Sequence, residues 1–242
     1  MAEREQMHFM RRLAGPAFAA AMLAGISGAS AQPAGLAIVI ANSYAGFLDG
    51  PAGDAEAIAK KAEEGGFSAL RIMNVAGKDF APKLDEIRKA AEAAGPFRIV
   101  YATGFGMCLN DDLMLFAEDM QPEQYTSGKV GDVVVPLSTV AEAAATGGGK
   151  VLVVFDTTPN QCTDDSLKAV KLPPSSALLV TTAVGSDVVD NFGETGRGAF
   201  ATAFLQGFEA RLAPKDLADK LVREVSTITE DQQVPVLFGT LE

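Results

Sequence analysis

Short apolar runs alternate along this chain with longer segments in which apolar residues recur every three or four positions. LAIVIAN at 36–42 and VLVVFD at 151–156 belong to the first kind, and such compact runs are typical of buried strands. The runs predict strands at residues 36–42, 68–75, 97–103, 151–156, 177–184 and 234–238. The periodic segments predict helices at residues 54–64, 80–94, 137–145, 200–212 and 214–227.

Two stretches interrupt this alternation. Residues 104–132 are acidic and punctuated by glycine and proline, and they predict an irregular segment with a short hairpin around residues 113–116. Residues 157–176 predict a long polar loop with Pro173-Pro174 near its end. Neither stretch has the composition of a linker, so we expect no domain boundary at either place.

The alternation of strands and helices predicts one three-layer α/β domain. Because the strands are almost wholly apolar, we expect a mostly parallel sheet with helices on both faces. Functional residues of such folds lie in loops at the carboxyl ends of the strands. Those loops are residues 42–53, 103–112, 156–176 and 185–198.

The N-terminal segment has the features of a secretory signal. Arg11 and Arg12 precede an uncharged stretch at 13–28, and Ala29-Ser30-Ala31 has the small-x-small pattern that a signal peptidase cleaves. The stretch is shorter than the ~20 apolar residues that a membrane-spanning helix needs. We therefore predict a signal peptide at 1–31, a periplasmic or secreted single domain at 32–242, and no stable membrane anchor after cleavage.

Cleavage after Ala31 would remove His8, the one histidine of the chain. A mature chain without histidine excludes Ser-His-Asp and Cys-His catalysis and histidine-ligated metal sites. Two cysteines, Cys108 and Cys162, are too few for a zinc ribbon or a disulfide scaffold. Since no calcium loop or dinucleotide-binding motif is present either, we expect no cofactor and no metal.

Acidic residues outnumber basic ones, 31 to 20, and the formal net charge of −11 disfavours nucleic acid as a partner. Asp156 ends a predicted strand, and we interpret it either as a residue of a functional cleft or as a cap or turn residue. Asp187 and Asp190 follow the next strand. They form either part of a cation pocket or an ordinary surface turn.

Several short motifs occur in an order that resembles the order in bacterial caspase-like proteases, the metacaspase or orthocaspase branch of the caspase superfamily. LAIVIANS at 36–43 is similar to the opening strand of the family, YATGFG at 101–106 to the motif that carries the catalytic histidine, and VVFDTT at 153–158 to the motif that carries the nucleophilic cysteine. Further similar segments lie at 181–190, 199–204 and 229–241. The resemblance covers nearly all of 35–242 and implies a six-stranded caspase-like fold.

Both catalytic positions differ from the family. Phe105 stands where the resemblance puts the histidine, and Thr158 where it puts the cysteine. Asp156 and Asp190 match positions that help to form the family's pocket for arginine or lysine. The resemblance therefore implies an exported, catalytically inactive pseudoprotease that acts as a binding or regulatory module for peptides or proteins with basic side chains. Its ligand-binding residues would be Phe105, Asp156, Thr158 and Asp190.

Two other interpretations remain open. One is an active endopeptidase or hydrolase specific for arginine or lysine, which would use Thr158, Cys108 or Cys162 with a non-standard base. The other is a structural remnant without a ligand. The caspase-like arrangement also implies that Cys108 and Cys162 lie in loops at the same edge of the sheet, where an oxidising compartment favours a disulfide. Two independent thiols are the alternative.

Overall fold

A computed structural model describes residues 34–127, 129–158, 160–189 and 196–241. The predicted signal peptide and Asp190 lie outside these residues. All of the described elements belong to one unit, Gln32–Glu242. Across the described ranges, no helix combines the length and the apolar character needed to cross a membrane.

Strands and helices alternate along most of the described chain. The strands are β1 (Gly35–Ala41), β2 (Ser68–Met73), β3 (Phe97–Thr103), β4 (Gly106–Leu109), β5 (Asp112–Phe116), β6 (Val134–Pro136), β7 (Lys150–Asp156), β8 (Ser176–Val180) and β9 (Val236–Gly239). The helices are α1 (Gly50–Glu64), α2 (Phe80–Ala93), α3 (Pro122–Ser127), α4 (Leu137–Ala144), α5 (Asp164–Ala169), α6 (Ala199–Gly207) and α7 (Pro214–Ile228).

A six-stranded sheet in the order β2-β1-β3-β7-β8-β9 forms the centre of the fold. Neighbouring strands are parallel from β2 to β8, and only the edge strand β9 runs antiparallel to its neighbour. This arrangement confirms the predicted α/β class with a mostly parallel sheet. It is compatible with a three-layer caspase-like fold.

Alternate residues of the central strands face opposite layers of helices. Ile38 and Ile40 of β1 belong to a buried cluster with α2 and α4. Val39, which lies between them, belongs to a second cluster with α1, α6 and α7. Because side chains alternate across a strand, the wholly apolar sequence of β1 buries both faces of the sheet and gives it a helical layer on each side.

The segment predicted to be irregular contributes β4 and β5 to a second, three-stranded sheet in the order β4-β5-β6. The predicted hairpin is present as β4 and β5, and the prediction of irregular structure for the rest of the segment is wrong at α3. Asn110 and Asp111 join the two strands with φ values of 54° and 58°. Two adjacent residues with positive φ make the tight turn that matches the twist of a hairpin, and asparagine and aspartate tolerate this conformation better than most residues.

Four other elements differ from the predictions, and two of these differences have a clear local reason. Helix α1 begins before residue 54, because Pro51 suits the first turn of a helix. The predicted loop at 157–176 contains α5, because Thr163 and Ser166 form a reciprocal capping box. Strand β8 ends at Val180, and the final strand begins after Pro235.

Candidate functional site

A cavity of about 500 Å³ opens at the carboxyl ends of β1, β3 and β7. Its walls come from the loop after β1, the first turns of α1, the β3–β4 connection, α3, the residues after β7, and the segments on either side of 190–195. Phe105, Asp156 and Thr158 all line it, so the structure brings together three of the four predicted ligand-binding residues. Asp190, the fourth, is outside the described residues.

Asp156 is held by two hydroxyl groups. Tyr101 on β3 donates a hydrogen bond to Asp156 Oδ2 at 2.7 Å, and Thr181, directly after β8, donates one to Oδ1 at 2.7 Å. The carboxylate is nearly buried, with 9% of the residue exposed. These contacts orient the carboxylate at the cavity wall.

The Tyr101 phenol is a permanent hydrogen-bond donor at this position. Complete burial raises the pKa of Tyr101 well above its usual value, and the negative charges of Asp156 and Asp54 raise it further. No sequence motif predicted a role for Tyr101 or Thr181. Two sequence features could have indicated them. Tyr101 places a hydroxyl group inside the otherwise apolar strand FRIVYAT, and Thr181 places another at the end of a later apolar run.

Phe105 occupies the cavity wall because Tyr44 holds its backbone. Tyr44 Oη accepts a hydrogen bond from Phe105 N at 2.7 Å and donates one to the carbonyl oxygen of Phe116 at 3.1 Å. The two rings pack with their centroids 4.8 Å apart. Gly104 has a φ of 138°, and a Cβ there would lie 2.8 Å from Tyr44 Oη, so only glycine fits this approach without strain.

Glu118 holds the loop that carries Tyr44. Its carboxylate accepts hydrogen bonds from the backbone N–H groups of Ser43 at 3.0 Å, Tyr44 at 2.9 Å and Ala45 at 2.6 Å. Tyr44 and Ala45 both have positive φ, 52° and 55°, which is costly for residues other than glycine. The carboxylate therefore stabilises a strained backbone beside the cavity, and no local sequence pattern marked it.

Thr158 has weak polar contacts. Its hydroxyl donates to Asp187 Oδ1 at 3.4 Å and accepts from Val188 N at 3.4 Å, and both distances are long for hydrogen bonds. The neighbouring Thr157 is buried, and its hydroxyl donates to the carbonyl oxygen of Gly104 at 2.5 Å. Thr158 is thus the threonine that faces the cavity with a hydroxyl not tightly bound elsewhere.

Cys108 and Cys162 form a disulfide, with their Cα atoms 4.9 Å apart. Cys108 lies on β4 and Cys162 lies between β7 and α5, and only 8% of each residue is exposed. Cys108 N also donates a hydrogen bond to the carbonyl oxygen of Asn160 at 3.1 Å. The bond joins the two loops that carry Phe105 and Thr158, and it leaves neither sulfur as a thiol nucleophile.

The charged side chains among the described lining residues are carboxylates. Asp49, Asp54, Asp156 and Asp187 line it, and no lysine, arginine or histidine is among its described lining residues. Asp54 is buried, and its Oδ2 accepts a hydrogen bond from Gly198 N at 2.9 Å. Within the described part of the chain, no three acidic, cysteine or histidine side chains converge as metal ligands would.

Comparison with known proteins identifies no family for this chain. No protein-family model matches it, and no curated protein matches it. The resemblance to caspase-like proteases therefore rests on the order of the short motifs, and the activity it implies is a hypothesis.

Proposed function

We propose that this protein is an exported, non-catalytic module of caspase-like type whose cavity binds a basic side chain of a peptide or protein. The observation that carries the proposal is the lining of the cavity: four aspartates, with no basic residue among its described lining residues. The volume of about 500 Å³ suits a long side chain and lies within the range of ligand sites. The order of the central sheet is compatible with the fold that the motifs imply.

Absence of catalysis follows from the side chains at the two positions that the motifs align with a catalytic dyad. Phe105 has no group that accepts a proton. The Thr158 hydroxyl is a poor nucleophile unless a base removes its proton, and the nearest described acceptor, Asp187 Oδ1, lies 3.4 Å away. A carboxylate is a weak base towards an alcohol. We therefore expect no hydrolysis at this site.

Binding of a cation follows from the buried charge. Asp54 and Asp156 are both less than a tenth exposed, so water screens their charges poorly. A guanidinium or ammonium group in the cavity would be attracted by these carboxylates and by those at the periphery. Exposed Asp49 and Asp187 at the periphery would attract the cation before it enters.

The Thr158–Asp187 contact favours the alternative, a hydrolase with a threonine nucleophile and an aspartate base. The contact is long, and no lysine that could serve as a base is among the described lining residues. A hydrolase that used Cys108 or Cys162 as its nucleophile would need the disulfide to be reduced, because both sulfurs are in that bond.

One experiment separates these functions. Purified protein is mixed with a peptide that contains a single arginine or lysine and with the same peptide carrying norleucine, and both cleavage and calorimetric binding are measured. We expect saturable, salt-sensitive binding of the basic peptides and no cleavage. Cleavage that disappears in Thr158→Ala would establish the hydrolase instead, and a protein that neither cleaves nor binds would contradict the proposal in favour of a structural remnant.

The affinities of aspartate variants for the basic peptide show whether the peptide binds in the cavity. Asp187→Asn retains the shape of an exposed residue and should weaken binding about two- to fivefold, as expected for an exposed ion pair. Asp156→Asn should weaken it about tenfold or more, because the charge is buried. Asp132→Asn is the matched control, since Asp132 is exposed and does not line the cavity. Equal affinities for all three variants and the parent would place the ligand elsewhere.

A further inference from the structure

Three aromatic residues, Phe47, Phe105 and Tyr125, line the same cavity as the four aspartates. We call them the aromatic wall. The ring of Phe105 is central, with its centroid 6.0 Å from that of Phe47 and 4.9 Å from that of Tyr125. The planes are tilted by about 40° in both pairs, 40° and 43°, so the wall is curved rather than flat.

Phe47 is unusual because 76% of it is exposed. Two large apolar side chains are exposed among the described residues, Phe47 and Val234, and Phe47 is the more exposed of the two. Val234 does not line the cavity. An exposed phenylalanine at the rim of an acidic cavity has apolar surface that a ligand can cover. The structure thus offers both negative charge and apolar contact to the same occupant.

The buried carboxylates already use part of their hydrogen-bonding capacity within the protein. Both oxygens of Asp156 already accept hydrogen bonds from hydroxyl groups, at 2.7 Å each. Asp54 Oδ2 accepts from Gly198 N at 2.9 Å. The one hydrogen-bonding group of the aromatic wall is the Tyr125 hydroxyl.

An unmodified ammonium group gains little from the aromatic wall. It carries three N–H donors and is strongly hydrated, so it loses water partners that the wall does not replace. A trimethylated ammonium has the same charge, no donor, and three methyl groups that pack against aromatic rings. Aromatic rings attract such cations through their electron-rich faces, and the attraction grows when water is excluded.

From this combination we infer that the cavity selects a methylated ammonium group, such as the side chain of trimethyllysine, over unmodified lysine. The inference rests on the proposed function, because it specifies which basic side chain the acidic cavity prefers. Phe105 is its central residue: the side chain at the position that the motifs align with a catalytic histidine serves as part of a binding surface. Phe47 contributes its exposed ring to the same surface.

Calorimetry with three peptides tests the inference. The peptides are identical except for one residue, which is lysine, trimethyllysine or an uncharged analogue with a tert-butyl group in place of trimethylammonium. We expect trimethyllysine to bind about tenfold more tightly than lysine, as expected for a desolvated cation on aromatic rings. We expect the uncharged analogue to bind more weakly than trimethyllysine, because it loses the attraction of the aspartates.

Two variants and one control identify the wall as the cause. Phe105→Leu and the exposed Phe47→Leu should each abolish most of the preference for trimethyllysine, whereas Val234→Ala should leave it unchanged. Because Phe47 is exposed, its variant is expected to fold even where Phe105→Leu does not. Lysine and trimethyllysine binding with equal affinity would overturn the inference and leave the proposed function intact. A lack of binding by either cationic peptide would overturn both.

Discussion

Tyr44 and Phe105, 61 residues apart in the chain, are joined through the hydrogen bond from Phe105 N to Tyr44 Oη at 2.7 Å. The same phenol oxygen donates to the carbonyl oxygen of Phe116, so it connects the β3–β4 turn to the end of β5. Burial raises the pKa of Tyr44, and the charge of Glu118 raises it further, so the phenol stays protonated and keeps both roles. The position of the cavity wall therefore depends on a residue outside the motif that contains Phe105.

Replacement of Tyr44 by phenylalanine tests this dependence. The ring is retained, but Phe105 N loses its acceptor, and we expect the free energy of unfolding to fall by about 1–3 kcal/mol because a sequestered N–H is left without a partner. Urea denaturation measures the change. Thr126→Val removes an exposed hydroxyl on α3 and should change the stability by less than about 0.5 kcal/mol. Equal stabilities of the Tyr44→Phe variant and the parent would show that the bond is dispensable.

Tyr101→Phe tests the support of the Asp156 carboxylate. The variant keeps the ring, which stacks on Phe200 with a centroid distance of 6.0 Å, and removes only the hydroxyl. Since that hydroxyl donates to a buried charge, we expect a loss of about 1.5–3 kcal/mol in the free energy of unfolding. The loss should shrink when Asp156 is also replaced by asparagine, because the two residues interact directly. Additive losses in the double variant would contradict this contact.

Two measurements test the disulfide: the number of free thiols per chain and the free energy of unfolding of a variant without the cysteines. Protein that has formed in an oxidising compartment, denatured without reductant, should contain no free thiol, because both cysteines are in the bond. Two thiols per chain would contradict the bond. The two cysteines are 54 positions apart in sequence. Replacement of both by alanine should lower the free energy of unfolding by about 2–4 kcal/mol, as for loops of this order.

Arg71 makes a pH-dependent contribution to the free energy of unfolding. It forms ion pairs with Glu56 and Glu63 at 2.8 Å each. The hydrogen bonds from Arg71 lower the pKa of Glu63 below its ordinary value of 4.5. A carboxylate with a lowered pKa in the folded state stabilises the protein above its unfolded-state pKa, and this contribution is lost as the pH falls through the folded-state pKa.

Glu63→Gln should therefore lower the free energy of unfolding by about 0.5 kcal/mol at neutral pH, since the pair is exposed to solvent. The difference from the parent should disappear well below pH 4.5, where both proteins carry an uncharged group. Chemical denaturation at a series of pH values measures it. Glu64→Gln is the control, because Glu64 is exposed and forms no ion pair with the described residues. A difference that persists in acid would point to packing instead of charge.

Local sequence patterns were sufficient for most of the fold. The run FRIVYAT predicts strand β3 with the first and last residues that the structure has. The spacing of apolar residues predicts the bounds of α2 and α4 to within one residue. This success has a physical cause: a strand buried on both faces must be apolar throughout, and a helix on a sheet must be apolar on one side. Short elements were missed because their signals are local contacts, such as the capping box of Thr163 and Ser166.

Sequence alone also determined that a mature chain cut after Ala31 has no histidine, and it identified Phe105, Asp156 and Thr158 as residues of one region. Tertiary structure decided which partners they have. Asp156 meets Tyr101 and Thr181, which are 55 and 25 residues away in the chain. A hydropathy pattern records which side of an element is buried, whereas contacts between loops depend on the order of strands in the sheet. That order puts β3 and β7 side by side, and so brings the ends of both strands to one cavity.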